Sequence, residues 1–371
     1  MGRKDPLMQD PTGLEPFTPV TIQSTSATER AGFRKCRRQW FLTTVHRLDS
    51  NQGNVNFFLG NIYHAALAAY YTAQYNNEDI DVREILALDT YQMEYDSQVE
   101  TLVADLGSMW TYIEPTFREA GVLGLEMLQN YLERERLEPL FDEVIAVEFR
   151  VNVPITNIAS VEVGILSVQA DVVGRKNGEL AVADHKTASR VMPSSHLDID
   201  DQLTAEVYSW WKFSGEFPEK AIYNVSYKKA VGPPAQIKGS KAKPIKLSKA
   251  KGQATTAALY RAEIEALGLD IGDYVDILTT LEERAGSEDD MLFRREAVFR
   301  TPGQMESFER DLYYEWTDMQ MVAAEPERAY PNPTSMNCSN CPVRAICTTL
   351  QDNGDAESII KAGYTIADPR R

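Results

Sequence analysis

The chain has 371 residues, enough for two or three domains or one elaborated core. Apolar residues make up 43% and charged residues 25%, which excludes wholesale disorder and collagen-like sequence. The net charge of −17 argues against a general binder of nucleic acid, since phosphates need Lys and Arg. Between Lys228 and Lys251, however, stand eight lysines and no acid. A polyanion would have to be met at that segment or through metal ions. No apolar run approaches the roughly 18 residues of a membrane span. The start of the chain has no apolar signal region. A cytosolic protein without membrane contact is expected.

In chain order, residues 1–22 are Pro-rich and polar and read as an extended arm. Residues 23–140 form an N-terminal helical region with apolar residues at three- and four-residue spacing, as in "FFLGNIYHAALAAYYTAQY". Residues 141–300 read as an α/β core. There "FDEVIAVEFRVNVP" and "VGILSVQADVVGRKNGELAVADHKT" are strands, "DIDDQLTAEVYSWWKF" is a helix and "EKAIYNVSYKKA" is a strand. A long basic loop at 230–252 and helices around 254–284 are inserted before the strand "MLFRREAVFR". Residues 301–350 comprise a helix and a cysteine-bearing loop, and 351–371 a polar tail. The order fits a mixed sheet flanked by helices, with a helical elaboration.

The segment 169–189 carries the most chemistry. Asn177-Gly178 is a strong signal for a two-residue hairpin turn, because both positions accept positive φ. The turn sets a register that brings Asp171 opposite Asp184, as direct cross-strand neighbours. Like charges placed so close call for a compensating divalent cation, and carboxylate oxygens suit Mg²⁺ or Mn²⁺. Lys186, two residues past Asp184, projects from the same face. The His185 side chain points away, leaving its backbone carbonyl near the site. Two acids and a lysine on one face suit metal-assisted phosphodiester hydrolysis. The bland alternative is a surface hairpin with ordinary charges, against which the apolar flanks "LSVQA" and "ELAVA" argue. Glu148, on the preceding strand, reads equally as a neighbour of this site or as an ordinary edge residue.

Four cysteines stand apart from this segment. Cys338, Cys341 and Cys347 are close in sequence, and Cys36 stands far upstream. In a large chain without secretory features such a set reads as a metal or cluster site before disulfides. Zinc sites usually show two close pairs, and this one-plus-three pattern does not.

Asp171 followed by "ADHKT", with Asp184 and Lys186, resembles the D…(D/E)-x-K core of the PD-(D/E)XK nuclease superfamily, and within it the RecB-like branch. "GNIYHAAL" is similar to that branch's helix motif, which implies that His64 joins the metal site. "DDQLTAEVY" is similar to its glutamine-bearing helix, which implies that Gln202 positions substrate or water. The family's tyrosine four residues later is replaced by Glu206. Tyr208, six residues on, points away from Gln202, so Glu206 is the residue placed to face the site. The cysteine pattern resembles the iron–sulfur members, including AddB-type and CRISPR-associated exonucleases, and implies a [4Fe–4S] cluster on Cys36, Cys338, Cys341 and Cys347.

The resemblance implies a restriction-endonuclease-like core and a metal-dependent exonuclease acting on single-stranded DNA or DNA ends, with a role in recombination, repair or replication. No G-x-x-x-x-G-K-[ST] is present, so unwinding would fall to a helicase or recombination partner. Lys238, Lys241, Lys243 and Lys246 are the expected DNA contacts of the basic loop, against the blander reading of a solvated linker. The rival readings are a non-catalytic DNA-binding or assembly partner with the same fold, and a nuclease acting on RNA.

Overall fold

A computed structural model describes residues 20–50, 53–190, 195–237, 245–285, 287 and 290–367. The chain opens with a short strand β1 (Ser24–Thr25) and helices α1 (Ala27–Lys35) and α2 (Arg37–Trp40), followed by β2 (Leu48–Ser50). Three long helices come next: α3 (Val55–Tyr75), α4 (Ile80–Leu106) and α5 (Trp110–Leu137). Strands β3 (Glu143–Thr156), β4 (Glu162–Lys176) and β5 (Glu179–Ala188) lead to α6 (Asp201–Ser214) and β6 (Lys220–Tyr227).

An insertion holds the two-residue strands β7 (Gln236–Ile237) and β8 (Lys246–Leu247) and helices α7 (Ala257–Ala266) and α8 (Val275–Arg284). The chain then forms β9 (Phe293–Phe299), α9 (Pro302–Ala324), α10 (Ser335–Ser339), α11 (Arg344–Gln351), α12 (Ala356–Gly363) and β10 (Tyr364–Ile366). Local chemistry sets the helix ends. Ser26 with Glu29, and Thr301 with Gln304, form capping boxes on α1 and α9. Asp200 caps α6, which ends at Gly215 with φ of 76°.

The main sheet has six described strands in the order β1-β4-β5-β6-β9, with β3 on the other edge of β4. Pairing is antiparallel for β3/β4, β4/β5 and β6/β9, and parallel for β5/β6 and β1/β4. Alternation along β4 and β5 divides the core. Val172, Ala181 and Ala183 face α3 and α5, while Val173, Leu180 and Val182 face α6 and α9. A sheet buried on both faces explains why its central strands read as apolar runs. At Gly174 an added Cβ would lie 2.6 Å from the carbonyl oxygen of Glu143 and against the Phe141 ring, so only glycine lets β3 and β4 close here.

The two ends of the chain meet. Phe33, Trp40 and Phe41 share a core with Val343, Ile346 and Ala356. The tail is not simply polar chain: β10 pairs antiparallel with β2, and the cysteine segment is largely helical rather than a loop. The insertion has its own small core of Leu247, Tyr260, Ile264, Tyr274 and Leu278. Among the described residues no helix is long and apolar enough to cross a membrane.

Candidate active site

The site lies where one ladder stops. Residues of β4 and β5 pair in the register set by the Asn177-Gly178 turn, from Lys176↔Glu179 to Val172↔Ala183. Asn177 and Gly178 have φ of 53° and 82°, as the turn requires. The pairing ends one residue short of Asp171 and Asp184, so these two are not the ladder pair expected from the register. β5 instead continues alongside β6, with Asp184 opposite Tyr223 and Lys186 opposite Val225. β1 takes up the edge of β4 again only at Ile165 and Leu166. Asp171 therefore stands in a stretch of β4 open on that side, where helices from both sheet faces reach it.

From the face of α6, Gln202 enters the site. Lys186 Nζ donates to Asp184 Oδ1 at 2.7 Å and to Gln202 Oε1 at 3.1 Å. Gln202 Nε2 donates to the same Asp184 Oδ1 at 2.8 Å and to Glu206 Oε1 at 3.1 Å. One helical turn separates Gln202 from Glu206, which aligns them on one face. Tyr208 lies elsewhere, against Phe308 in the core under α9.

From the other face α3 brings His64, whose Nδ1 is 3.5 Å from Asp171 Oδ2. That oxygen also accepts from the backbone N–H of His185 at 2.7 Å. Across β3, the register places Glu148 opposite Asp171, between the pairs Val147↔Val172 and Phe149↔Ala170. Glu148 has φ of 48°, unusual for a residue with a side chain, and accepts from Gln169 Nε2.

The electrostatics separate the two aspartates. Burial pushes Asp184 up to about 6; Asp171 adds to this and Lys186 opposes it. Burial acts on Asp171 in the same sense but is outweighed by His64, by hydrogen bond and by charge, and the carboxyl settles at about 2. Burial lowers His64, yet Asp171 outweighs it and holds the imidazole above its ordinary value. Lys186 likewise overcomes its burial through Asp184 and stays above the usual lysine range. Burial, reinforced by Asp184 and Asp171, lifts Glu206 well above the ordinary carboxylate range. Burial followed by Asp171 also raises Glu148.

The donor set suits a hard divalent cation: two carboxylates and an imidazole nitrogen. Asp184 Oδ2 is buried and has no hydrogen-bond partner, which is the deficit a cation would satisfy. Among the described residues no three His, Cys, Asp or Glu side chains are gathered closely enough to hold a metal ion by themselves. The other Asp184 oxygen is held by Lys186 and Gln202, so a cation would be met by Oδ2.

The sequence gives no signal for the support behind the site. The His185 side chain, on the opposite face as expected, stacks on Tyr71 with ring centroids 5.4 Å apart. Its Nδ1 is 2.8 Å from Asn224 Nδ2, which also donates to the Tyr131 hydroxyl at 2.8 Å. Tyr131 in turn meets the Tyr71 hydroxyl at 2.6 Å. Burial brings His185 down to about 3, so the ring is neutral. These residues come from α3, α5, β5 and β6, and nothing short of the fold links them.

The other expected site residues lie elsewhere. Lys246 is exposed on β8, and Lys238, Lys241 and Lys243 fall outside the described residues. Cys36 sits at the junction of α1 and α2, where its Sγ accepts from the Asn332 N–H at 3.4 Å. Asn332 and Asn337 side chains both bind the Lys35 carbonyl, tying the first helix to the cysteine segment. Burial raises the Cys341 thiol, and Cys36 and Cys347 add to that rise. His46 packs on Phe41 away from the site.

No curated protein matches the chain. A family model of the PD-(D/E)XK nuclease superfamily matches residues 24–348, which include the two aspartates, Lys186, His64, Gln202 and all four cysteines. With most of its length so matched, on a mixed sheet flanked by helices, the chain belongs to the PD-(D/E)XK nuclease superfamily.

Proposed function

We propose that the protein is a metal-dependent DNA exonuclease of the RecB-like kind, acting on single-stranded DNA or DNA ends. The observation that carries this reading is the convergence of Lys186 and Gln202 on one oxygen of buried Asp184, beside Asp171, at the open end of a ladder. Superfamily members commonly use Mg²⁺ or Mn²⁺. In this reading Asp171, Asp184 and His64 hold the ion, with the His185 carbonyl as a further oxygen. Bound there, it would polarise the scissile phosphate and make water more acidic.

The chain's own groups do the rest. Lys186 presents a charged donor to the water or to the charge that develops on phosphate oxygens. Gln202, whose amide nitrogen is occupied by two carboxyl oxygens, turns its Oε1 toward Lys186 and fixes the direction of that ammonium group. The neutral His185, locked by Asn224 and Tyr71, holds the backbone that donates to Asp171.

The same reading assigns Cys36, Cys338, Cys341 and Cys347 to a [4Fe–4S] cluster. What supports it is the donor chemistry of four thiols and the nearness of Cys36 and Cys347 to Cys341, whose thiol they help to raise, where the chain ends meet. The cluster's role would be structural. Recombination, repair or replication is the setting that fits, with a helicase or recombination protein supplying separated strands.

The test is digestion of end-labelled single- and double-stranded DNA, and of single-stranded RNA, with Mg²⁺, Mn²⁺ or EDTA. Stepwise shortening of single-stranded DNA that EDTA stops is the expected result. No cleavage with either metal would refute the reading, and RNA cleavage alone would reassign the substrate.

A further inference from the structure

The surface beside the site has an electrostatic feature that the catalytic residues do not use. In a chain of net charge −17, α3 carries no Asp, Glu, Lys or Arg over its 21 residues. α4, α5, α6 and α9 all carry acids. α3 is therefore a strip beside the site that does not repel a polyanion.

One face of that strip is shaped. Phe57, Gly60, Asn61 and His64 follow at three- and four-residue spacing and share a face. Phe57 is 71% exposed, although a phenylalanine ring on a monomer surface is costly to leave in water. At Gly60, between Phe57 and His64, an added Cβ would meet nothing within 4 Å, so the space above the helix is open. Asn61 is exposed and offers an amide.

A cation stands at the far end. Lys228 follows β6, and its N–H donates to the Ala188 carbonyl at the end of β5, the catalytic strand. Its Nζ donates to Asn56 Oδ1 at 2.8 Å, beside Phe57. Because that partner is a neutral amide, the lysine's charge is left for another anion.

We propose that this face of α3 is the track for a single DNA strand entering the site: one base stacks on Phe57, its phosphate meets Lys228, and the backbone passes over Gly60 to the aspartates. From Phe57 to His64 is seven residues, a rise of about 10 Å, which holds at most about three nucleotides, the number at the 3.4 Å stacked spacing of a duplex strand. A base on Phe57 thus lies within about three positions of the bond over the metal site. The inference rests on the nuclease reading and names how its substrate is held. A single strand fits because stacking on an isolated ring needs an unpaired base.

The test measures binding apart from cleavage. Fluorescence anisotropy of an oligo(dT) strand in EDTA is compared for wild type, Phe57→Ala, Phe57→Trp, Lys228→Gln and Gly60→Leu. Phe57→Ala should weaken binding roughly five- to 150-fold, the usual range for loss of one base–aromatic stack, and Phe57→Trp should restore it. Lys228→Gln should flatten the salt dependence by about 0.7 in the log–log slope. Gly60→Leu should weaken binding while its Tm is at or above that of wild type, since glycine is a poor helix former and its site has room. A structural role for Gly60 would instead lower Tm. A strand with 2-aminopurine at one position should lose its fluorescence quenching in Phe57→Ala. Wild-type cleavage with unchanged affinity in Phe57→Ala and Lys228→Gln would overturn the track and leave the nuclease reading standing. Weakened binding in the variants, with no metal-dependent cleavage by wild type, would support the track and overturn the nuclease reading. Binding of blunt duplex but not of single strands would overturn the track.

Discussion

Glu206 provides the sharpest test of the site's electrostatics. It is 2% exposed, its Oε2 has no partner, and it faces Asp184, Asp171, Lys186 and Gln202. Burial, with the aspartates, raises its folded-state pKa well above the ordinary 4.5. A raised acid contributes fully to stability below its unfolded pKa, and that contribution is lost as pH climbs toward the folded value. Over that interval folding takes up one proton, at about 1.4 kcal/mol per pH unit. Each pH unit of that interval therefore removes a tangible part of the roughly 5–15 kcal/mol that keeps a protein folded. Glu206→Gln keeps an amide oxygen for Gln202 Nε2 but takes up no proton. In urea titrations with EDTA from pH 4.5 to 8, wild type and variant should start close together. The variant should then gain on wild type by about 1.4 kcal/mol per unit until Glu206 ionises. A stability difference independent of pH would show that Glu206 is not held protonated by the site, and the electrostatic account would fall.

Three further outcomes are expected. Asp184→Asn and Lys186→Ala should each abolish DNA cleavage while circular dichroism stays that of wild type; full activity in both would remove the site. Replacing Lys238, Lys241, Lys243 and Lys246 together with Gln should weaken DNA binding at low salt and make the log–log salt slope shallower by about 0.7 for each phosphate that is no longer neutralised; an unchanged slope identifies a solvated linker. Protein purified anaerobically should be brown and hold about four irons per chain, and Cys36→Ser should lose the metal and expose the C-terminal region to protease. Stoichiometric zinc would replace the cluster with a zinc site, and metal-free folded protein would reject both.

Much of the fold follows from local rules that a sequence carries in full. Asn177-Gly178 sets the hairpin register because φ above zero at both positions leaves one turn geometry. Alternation in "ELAVADHKT" separates the residues that face α3 from those that share a face with Lys186. Counting along α6 suffices to set Gln202 and Glu206 on one face and Tyr208 on another, since 3.6 residues per turn allow nothing else.

Other features depend on where segments distant in sequence come to rest. The β4–β5 ladder stops before Asp171 and Asp184 while β5 goes on pairing with β6 along its other edge, a parting that a hairpin rule does not contain. Glu148, ambiguous on its own strand, stands opposite Asp171 only through the β3–β4 register. The Tyr71–Tyr131–Asn224–His185 network draws on four elements, and burial of polar groups drives such pairing without leaving any local pattern. The pairing of β10 with β2 is of the same kind, joining opposite ends of the chain that carry no turn or repeat to link them. Periodicity and turn chemistry act over a few residues and so are written in the chain; the end of a ladder, the approach of a second helix and the company of a buried hydroxyl are decided by which surfaces meet in three dimensions.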